Sequence, residues 1–290
     1  MASDITAIKR RIGSVKNTRQ ITRAMELVAA SKMKKAQVKA QATRDYRVSA
    51  QGILGRLAGI SDVSRHPLFK VRDIKVHLIL VISSDLGLAG GYDANVFKKL
   101  TEILKNNTKH KVKIIAVGKK GSQFISRLKG MDMISAYGMF SDNPTPADIR
   151  PLINDILKRY EEGSIDKASI IYTEFISNLS QEVKILDLLP ASISVEAEDS
   201  KLSPLEVGIF EPNIDEIVED AVMRLIEVQV WQALLESLAS EYSMRMVAMK
   251  NASDNAKDII DDLTLEYNTA RQAVITQEIA EIVGGAEAVR

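Results

Sequence analysis

The stretch NIDEIVEDAVMRLIEVQVWQALLESLASEYSMRMVAMKNASDNAKDIIDDLTLEYNTARQAVITQEIAEIV, Asn213 to Val283, runs 71 residues without a glycine or a proline. At about 1.5 Å per residue it reads as a helix roughly 100 Å long. A chain of 290 residues cannot wrap a globular body around such a helix, so much of it must protrude or pair with another long helix. The partner lies at the other end of the chain. Ser3 or Asp4 can cap a helix that continues, with only Gly13 interrupting, to about Gly52–Gly59. All seven prolines fall between Pro67 and Pro212 and all six phenylalanines between Phe69 and Phe210, so composition itself sets both flanks apart from the middle.

Charge divides the chain the same way. Residues 1–60 hold 13 Lys+Arg against 3 Asp+Glu, a net of +10, and residues 212–290 hold 6 against 15, a net of −9. The middle, 61–211, has 20 of each sign. Two long helices of opposite sign joined through a neutral domain are expected side by side; salt screens their attraction, so it selects the pairing more than it stabilises it. Apolar spacing supplies a seam. Ile5, Ile8, Ile12 and Val15 recur at 3, 4, 3, and Ile21, Met25 and Val28 at 4, 3. In the second flank a strict 4,3 register passes through Leu238, Tyr242, Arg245, Met249, Ala252, Ala256, Ile259, Leu263, Glu266, Ala270, Ala273, Gln277 and Ala280. Heptads sustained this long predict a coiled coil. The seam is alanine-rich and includes Arg245, Glu266 and Gln277, which an isolated two-stranded coil buries poorly. Two readings stay open here: a loose intramolecular coil with solvated positions, or a surface that partly meets other subunits.

The middle alternates. Ile74–Ser84, Val112–Gly118, Asp132–Gly138, Ala168–Phe175 and Glu182–Leu189 read as strands, and Asp93–Asn106, Lys119–Lys129 and Pro146–Glu161 as helices. That order predicts a small sheet, mostly parallel at first, with helices packed on it. The expected fold class is α/β plus long α: an antiparallel coiled coil of the terminal helices with an inserted Rossmann-like α/β domain. The expected domains are 1–60, 61–211 and 212–290, with the first and last paired.

Composition narrows the function classes. A net charge of +1 does not indicate whole-chain attraction to nucleic acid or acidic membranes. With no cysteine there is no disulfide framework, thiol catalysis or Cys-based zinc site. The longest strongly apolar stretch, Leu78–Ile82, is far short of the roughly 20 residues a membrane span needs, and Met1–Arg11 has no secretory h-region. His66, His77 and His110 lack metal-ligand spacing, and the pairs Asp261-Asp262 and Glu161-Glu162 point in different directions on helices. The loop Ser83–Gly91, SSDLGLAGG, could cradle a phosphate, but it has neither Gly-x-Gly-x-x-Gly spacing nor a Gly-Lys-Ser/Thr ending, so a tight turn is the simpler reading. The basic series Lys9, Arg10, Arg11, Lys16, Arg19 and Arg23 could track a phosphate backbone, but no aromatic is interleaved before Tyr46 and an acidic helix is available to neutralise it. No nucleic-acid partner, catalytic residue, metal or cofactor is expected.

Two stretches carry a resemblance. Ile21–Met33 (ITRAMELVAASKM) resembles the N-terminal signature of the gamma subunit of rotary ATP synthases, and Glu241–Asn255 with Leu263–Ala286 resembles that family's C-terminal signature. The domain order fits over essentially the whole chain. The resemblance implies a coiled coil threading a ring of alternating alpha and beta subunits, and an α/β foot that is attached, with epsilon, to the c-ring. Proton flow turns the c-ring, the beta subunits hold the catalytic sites, and the gamma chain transmits energy without making a bond. By motif match Met25, Arg23 and Glu26 fall where the shaft faces the moving lobe of beta. Arg245 lies across the coil from them, and Arg271, Gln272, Thr276 and Glu278 fall in the upper bearing section.

In the foot loop the resemblance covers Asp85, Gly87, Gly90 and Gly91, with two departures: Leu86 stands where many relatives have Arg, and Ala89 where many have Cys. The first puts in doubt any ion pair proposed for that loop. No cysteine-bearing insert of the chloroplast kind is present, which excludes thiol regulation. The expected location is the cytoplasmic face of a bacterial plasma membrane, peripheral and not inserted. Lys201–Pro212 is expected to form part of the foot against the c-ring. The alternative from another class is a coiled-coil scaffold whose α/β domain binds a ligand, with a nucleotide-dependent enzyme third.

Overall fold

The structure is a computed structural model. It describes residues 2–60, 66–107, 110–138, 144–191 and 214–288, so Lys201–Pro212 lies outside the described residues. The element order is α1 (Ala2–Ile60), β1 (Val76–Ile82), α2 (Tyr92–Asn106), β2 (Lys111–Val117), α3 (Lys119–Ile125), β3 (Asp132–Tyr137), α4 (Pro146–Glu161), β4 (Lys167–Phe175), β5 (Gln181–Leu189) and α5 (Ile214–Ala288). Two compact units emerge: Ser31–Met244, and Met1–Ala30 with Arg245–Arg290. Helices α1 and α5 contribute to both.

In the larger unit the sheet order is β3-β2-β1-β4-β5, parallel throughout except for the antiparallel β4·β5 pair. β1 is central, and its sequence VHLILVI is a near-continuous apolar run because both of its faces are covered. Alternation divides the core. Leu78, Leu80, Ile82, Ile115, Val117 and Ile170 pack with Ile149, Ile153 and Ile156 of α4, with Ala36 and Ala40 of α1, and with Leu234 and Leu238 of α5. Ile79, Val81, Ile114, Ala116 and Ile171 face Val96 and Leu100 of α2 and Ile125 of α3. The rings of Phe97 and Phe124 stack at 4.2 Å, closing that second layer.

α1 and α5 run antiparallel beside this sheet. The Lys32 ammonium lies 5.6 Å from the Tyr242 ring centroid, and Arg44 reaches Glu236 at 3.6 Å, so one helix advances as the other returns. α5 is fastened to the end of β4 by three fully buried serines. The Thr173 amide donates to Ser237 Oγ (3.1 Å), Ser240 Oγ donates to the Thr173 carbonyl (3.1 Å), and Ser243 Oγ donates to the Asn178 carbonyl (2.7 Å). These bonds satisfy backbone groups that the strand end and hairpin turn would otherwise leave buried without partners.

The smaller unit is a helix pair whose buried stripes are Ile8, Thr22 and Ala29 on α1 and Met249, Ser253, Ala256, Ile260 and Leu263 on α5. Two expectations are corrected. α1 begins at Ala2, so Ser3 and Asp4 lie inside the helix and do not precede it. The seam also shifts by one residue at alternate positions: Ser253, Ile260, Tyr267 and Val274 turn inward in place of Ala252, Ile259, Glu266 and Ala273. The reason is desolvation. The expected register would bury Glu266 where Tyr267 is available one position on. On α1, Thr22 and Ala29 displace Ile21 and Val28, which are 61% and 54% exposed, because smaller residues let the two backbones approach.

Candidate coupling surface and foot loop

Arg23, Met25, Glu26, Arg245, Arg271, Gln272, Thr276 and Glu278 all belong to the smaller unit. The spacing of Arg23 and Glu26 puts them one turn apart on α1, and Arg23 Nη1 donates to both carboxylate oxygens at 2.8 and 2.7 Å. Met25, beside them, is half-buried. Arg245 on α5 is 7% exposed, a member of the seam as its register required. Farther along α5, Arg271, Gln272, Thr276 and Glu278 are exposed, and Thr276 returns its hydroxyl to the Gln272 carbonyl (2.9 Å). The set therefore divides into a group tied into the helix pair (Met25, Glu26, Arg245) and a group on open helix surface.

The outward turn of Ile21 and Val28 creates a feature that periodicity missed. With Leu27 they form an exposed apolar patch around the level of Met25, and Ile275, Ile279 and Ile282 form another exposed series on α5 at 4, 3 spacing. A solvated coil has no use for such rows, and contiguous exposed apolar surface marks a place of contact. Its signal was present in the sequence: two apolar stripes compete along α1, and only one can face the partner helix.

In the larger unit the loop Ser83–Gly91 works as a clasp. Asp85 Oδ1 accepts from Lys119 N (2.8 Å), the Ser84 carbonyl from Lys120 N (2.9 Å), and Ser83 Oγ from Gly121 N (2.8 Å), so the first three amides of α3 are occupied by the protein itself. Ser84 also holds Asp93 of α2 through its amide (3.0 Å) and hydroxyl (2.6 Å). At the start of α2 itself the Tyr92 amide bonds the Ala89 carbonyl (3.2 Å), the geometry of a tight turn opening a helix. Gly90 sits at φ +58°, Gly91 caps α2 by accepting from Asn95 N (3.0 Å), and Gly87 lies against the Lys120 side chain. Ala89 is buried, whereas Leu86 and Leu88 are exposed, and Leu88 adopts φ +64°, a left-handed backbone that a leucine rarely takes. The loop is thus a hydrogen-bonded base with two leucines presented outward.

At the opposite end of the same sheet His77, Ser169 and Asp187 form a chain across β1, β4 and β5. His77 Nε2 lies 2.8 Å from Ser169 Oγ, which donates to Asp187 Oδ1 (2.6 Å), and Lys167 Nζ is 2.8 Å from Asp187 Oδ2. Burial first, then the neighbouring Lys167 cation, lower the His77 pKa to about 4. Ser169 is fully buried and its proton goes to the carboxylate, so this is not a nucleophile-base arrangement. Among the described residues no group of three or more His, Cys, Asp or Glu could hold a metal ion, and no helix is long and apolar enough to cross a membrane.

Comparisons with known proteins agree with this geometry. A family model described as ATP synthase matches residues 4–289. The ATP synthase gamma chain of Heliobacterium modesticaldum is 39% identical over 286 residues, covering 97% of each chain. That of Legionella pneumophila strain Corby is 39% identical over 283 residues, covering 97% of this chain and 98% of the relative. Among solved structures, a chain of the central stalk and c-ring of the Tetrahymena thermophila mitochondrial ATP synthase superposes with a TM-score of 0.63 at 26% identity, covering 80% of this chain and 99% of that one. A chain of the Euglena gracilis mitochondrial ATP synthase gives a TM-score of 0.69 at 20% identity over 100% and 95% of the two chains, a likeness of fold. With the paired terminal helices, the inserted sheet and the matched length, the chain belongs to the ATP synthase gamma chain family.

Proposed function

We propose that this chain is the central-stalk rotor of a proton-translocating ATP synthase, coupling rotation of a membrane c-ring to conformational change at catalytic beta subunits. The observation that carries the reading is the 39% identity to gamma chains over 97% of the chain. The physics is differential contact. One asymmetric shaft cannot make the same contacts with three identical beta subunits, so each site is biased toward a different conformation, and rotation exchanges the biases. The chain makes no bond itself; the beta subunits supply catalysis. In reverse, ATP hydrolysis drives the shaft and pumps protons.

The partners are alpha and beta subunits, one gamma chain per hexamer, with epsilon and the c-ring at the foot. In this reading residues 1–60 and 212–290 form the shaft and 61–211 the foot. Met25, Arg245, Gln272 and Thr276 are the main coupling residues, with Arg23, Glu26, Arg271 and Glu278 beside them. Asp85, Gly87, Gly90 and Gly91 shape the foot loop. The exposed rows Ile21–Val28 and Ile275–Ile282 support a shaft enclosed by partners, and the exposed small residues Ala273 and Ala280 suit a surface that must turn without locking. The complex lies on the cytoplasmic face of a bacterial plasma membrane, with this chain peripheral to it.

Reconstitution tests the proposal. The chain is mixed with alpha and beta subunits from the same source, and assembly and ATPase turnover are measured. Incorporation of one copy per hexamer with turnover dependent on the chain is the expected result. A chain that stays out of the hexamer and leaves turnover unchanged refutes it.

A further inference from the structure

Within the smaller unit the buried stripe of α5 fades toward its end. Leu263 is buried, Tyr267, Ala270 and Val274 are half-buried, and residues 275–286 are all exposed. The helix nevertheless continues to Ala288, roughly 20 Å beyond Val274 at about 1.5 Å per residue. Tertiary packing, which supplies most of the stability of a protein helix, is therefore missing from this last stretch.

Local sequence does not replace it. Ile275, Thr276, Ile279, Ile282 and Val283 are β-branched and lose side-chain freedom on a helix, and Gly284-Gly285 follows them directly. A Cβ on either glycine would meet nothing within 4 Å, and neither has a positive φ, so neither serves packing or a turn inside the chain. The last turn has no basic residue, while Glu278 and Glu281 put negative charge toward the negative end of the helix dipole. Two exposed side-chain bonds act the other way: Gln277 Nε2 donates to Glu281 Oε1 (2.8 Å), and the Thr276 hydroxyl donates to the Gln272 carbonyl (2.9 Å). Both are of the weak, local kind. The paired section spares this stretch its nucleation, but each added residue must still propagate on its own poor propensity. What the stretch does carry is Ile275, Ile279 and Ile282 in one exposed row, apolar surface that an outside partner can cover.

We propose that the helix over 275–288 is conditional: it unravels in the free chain and forms when the alpha and beta subunits close around the shaft. The occupant comes from the rotor reading, on which the inference rests; the need for one comes from the exposure and the propensities. Covering the isoleucine row supplies the stabilisation that the sequence lacks, and the entropy lost in ordering the backbone is offset by that contact. Thr276 and Glu278 lie inside the conditional stretch, so their contacts exist only in the assembled complex.

The test is backbone hydrogen exchange on the full chain, free and after assembly with alpha and beta subunits from the same source. In the free chain the amides of 277–283 are expected to exchange within about tenfold of an unstructured peptide, and those of 253–263 at least ~100-fold more slowly. In the complex both stretches should be protected. Gly284→Ala with Gly285→Ala changes propensity and no internal contact, and should slow exchange of 277–283 in the free chain by roughly threefold to tenfold. A free chain whose tip is as protected as its paired section overturns the proposal. So does a tip still unprotected in the complex, or a glycine replacement that leaves exchange unchanged. Failure of the chain to enter the hexamer is a separate result: it removes the rotor reading and the occupant, while exchange in the free chain still decides whether the helix is conditional.

Discussion

Two identical side chains next to each other on α5 give the sharpest test of the shaft's internal seam. Ile260 is 8% exposed and Ile259 is 46% exposed, although heptad spacing assigned the seam to Ile259. Ile260→Ala removes three buried carbons, a transfer cost of about 2.4 kcal/mol, plus part of a cavity. A two-helix layer open to water can collapse around the gap, and alanine is the better helix former by several tenths of a kcal/mol. The net destabilisation is then about 2 kcal/mol. For Ile259→Ala roughly half of the transfer cost survives and the helix gain offsets much of it, leaving about 0.5 kcal/mol or less. Urea unfolding of the full chain should be followed by far-ultraviolet circular dichroism, which reports on helix. The only tryptophan, Trp231, lies in the other compact unit, so its fluorescence serves as an internal control. An Ile259→Ala loss equal to or larger than that of Ile260→Ala would refute the shifted seam and restore the heptad reading.

Other consequences are equally specific. The His77 pKa, about 4 in the fold against 6.5 unperturbed, means that the unfolded chain binds the extra proton between those values. Its contribution is therefore fully present above pH 6.5 and lost as the pH falls toward 4, about 1–2 kcal/mol after discounting for the exposed part of the ring. Asp187, lowered from 3.8 by Lys167 and Ser169 hydrogen bonds that outweigh its burial, acts only below that window. His77→Gln should flatten the stability profile between pH 4 and 6.5, and an unchanged slope rejects the assignment. Between β2 and α3, against the loop Ser83–Gly91, Gly118 sits at φ +96° with a Cβ position that overlaps the Ser83 carbonyl, whereas Gly130, at φ +80°, has open space. Gly118→Ala should cost more than ~3 kcal/mol and Gly130→Ala only about 1 kcal/mol by thermal melting; equal effects would show that the clasp yields.

Much of the fold could be read in the sequence because its strongest signals are local. The run VHLILVI has no alternation, so it announces a strand covered on both faces, and the other strands and helices of the middle follow from the same apolar grouping. Pairing of the termini followed from length and charge. Register did not, because α1 offers two apolar stripes and hydrophobicity alone favours the wrong one. Ile21 and Val28 outrank Thr22 and Ala29 on any transfer scale, yet the smaller pair allows closer backbones. The serines at 237, 240 and 243 were also opaque. A polar residue every third position reads as a wet face until the strand end that it serves is seen. The candidate coupling residues came from motif resemblance, since nothing in their spacing sets Met25 or Gln272 apart from other coil positions.

The misread register bears directly on the rotor reading. Had Ile21 and Val28 formed the seam, α1 would present less apolar surface to its surroundings. Instead the seam takes Thr22, Ala29, Ser253 and Ala256, and leaves Ile21, Leu27, Val28, Ile275, Ile279 and Ile282 in water. At about 25 cal/mol per Å² of apolar surface removed from water, covering each of these side chains fully is worth on the order of 1–3 kcal/mol. The chain alone forgoes that stabilisation, and a ring of partners around the shaft can recover it. Where the seam takes small residues, at Thr22, Ala29, Ser253 and Ala256, the two helices stay close, and part of the apolar material is left outside for contacts that can differ at each of three orientations. On this view, moving bulk inward, as in Ala256→Leu, would splay the helices and loosen the shaft without touching any surface contact residue.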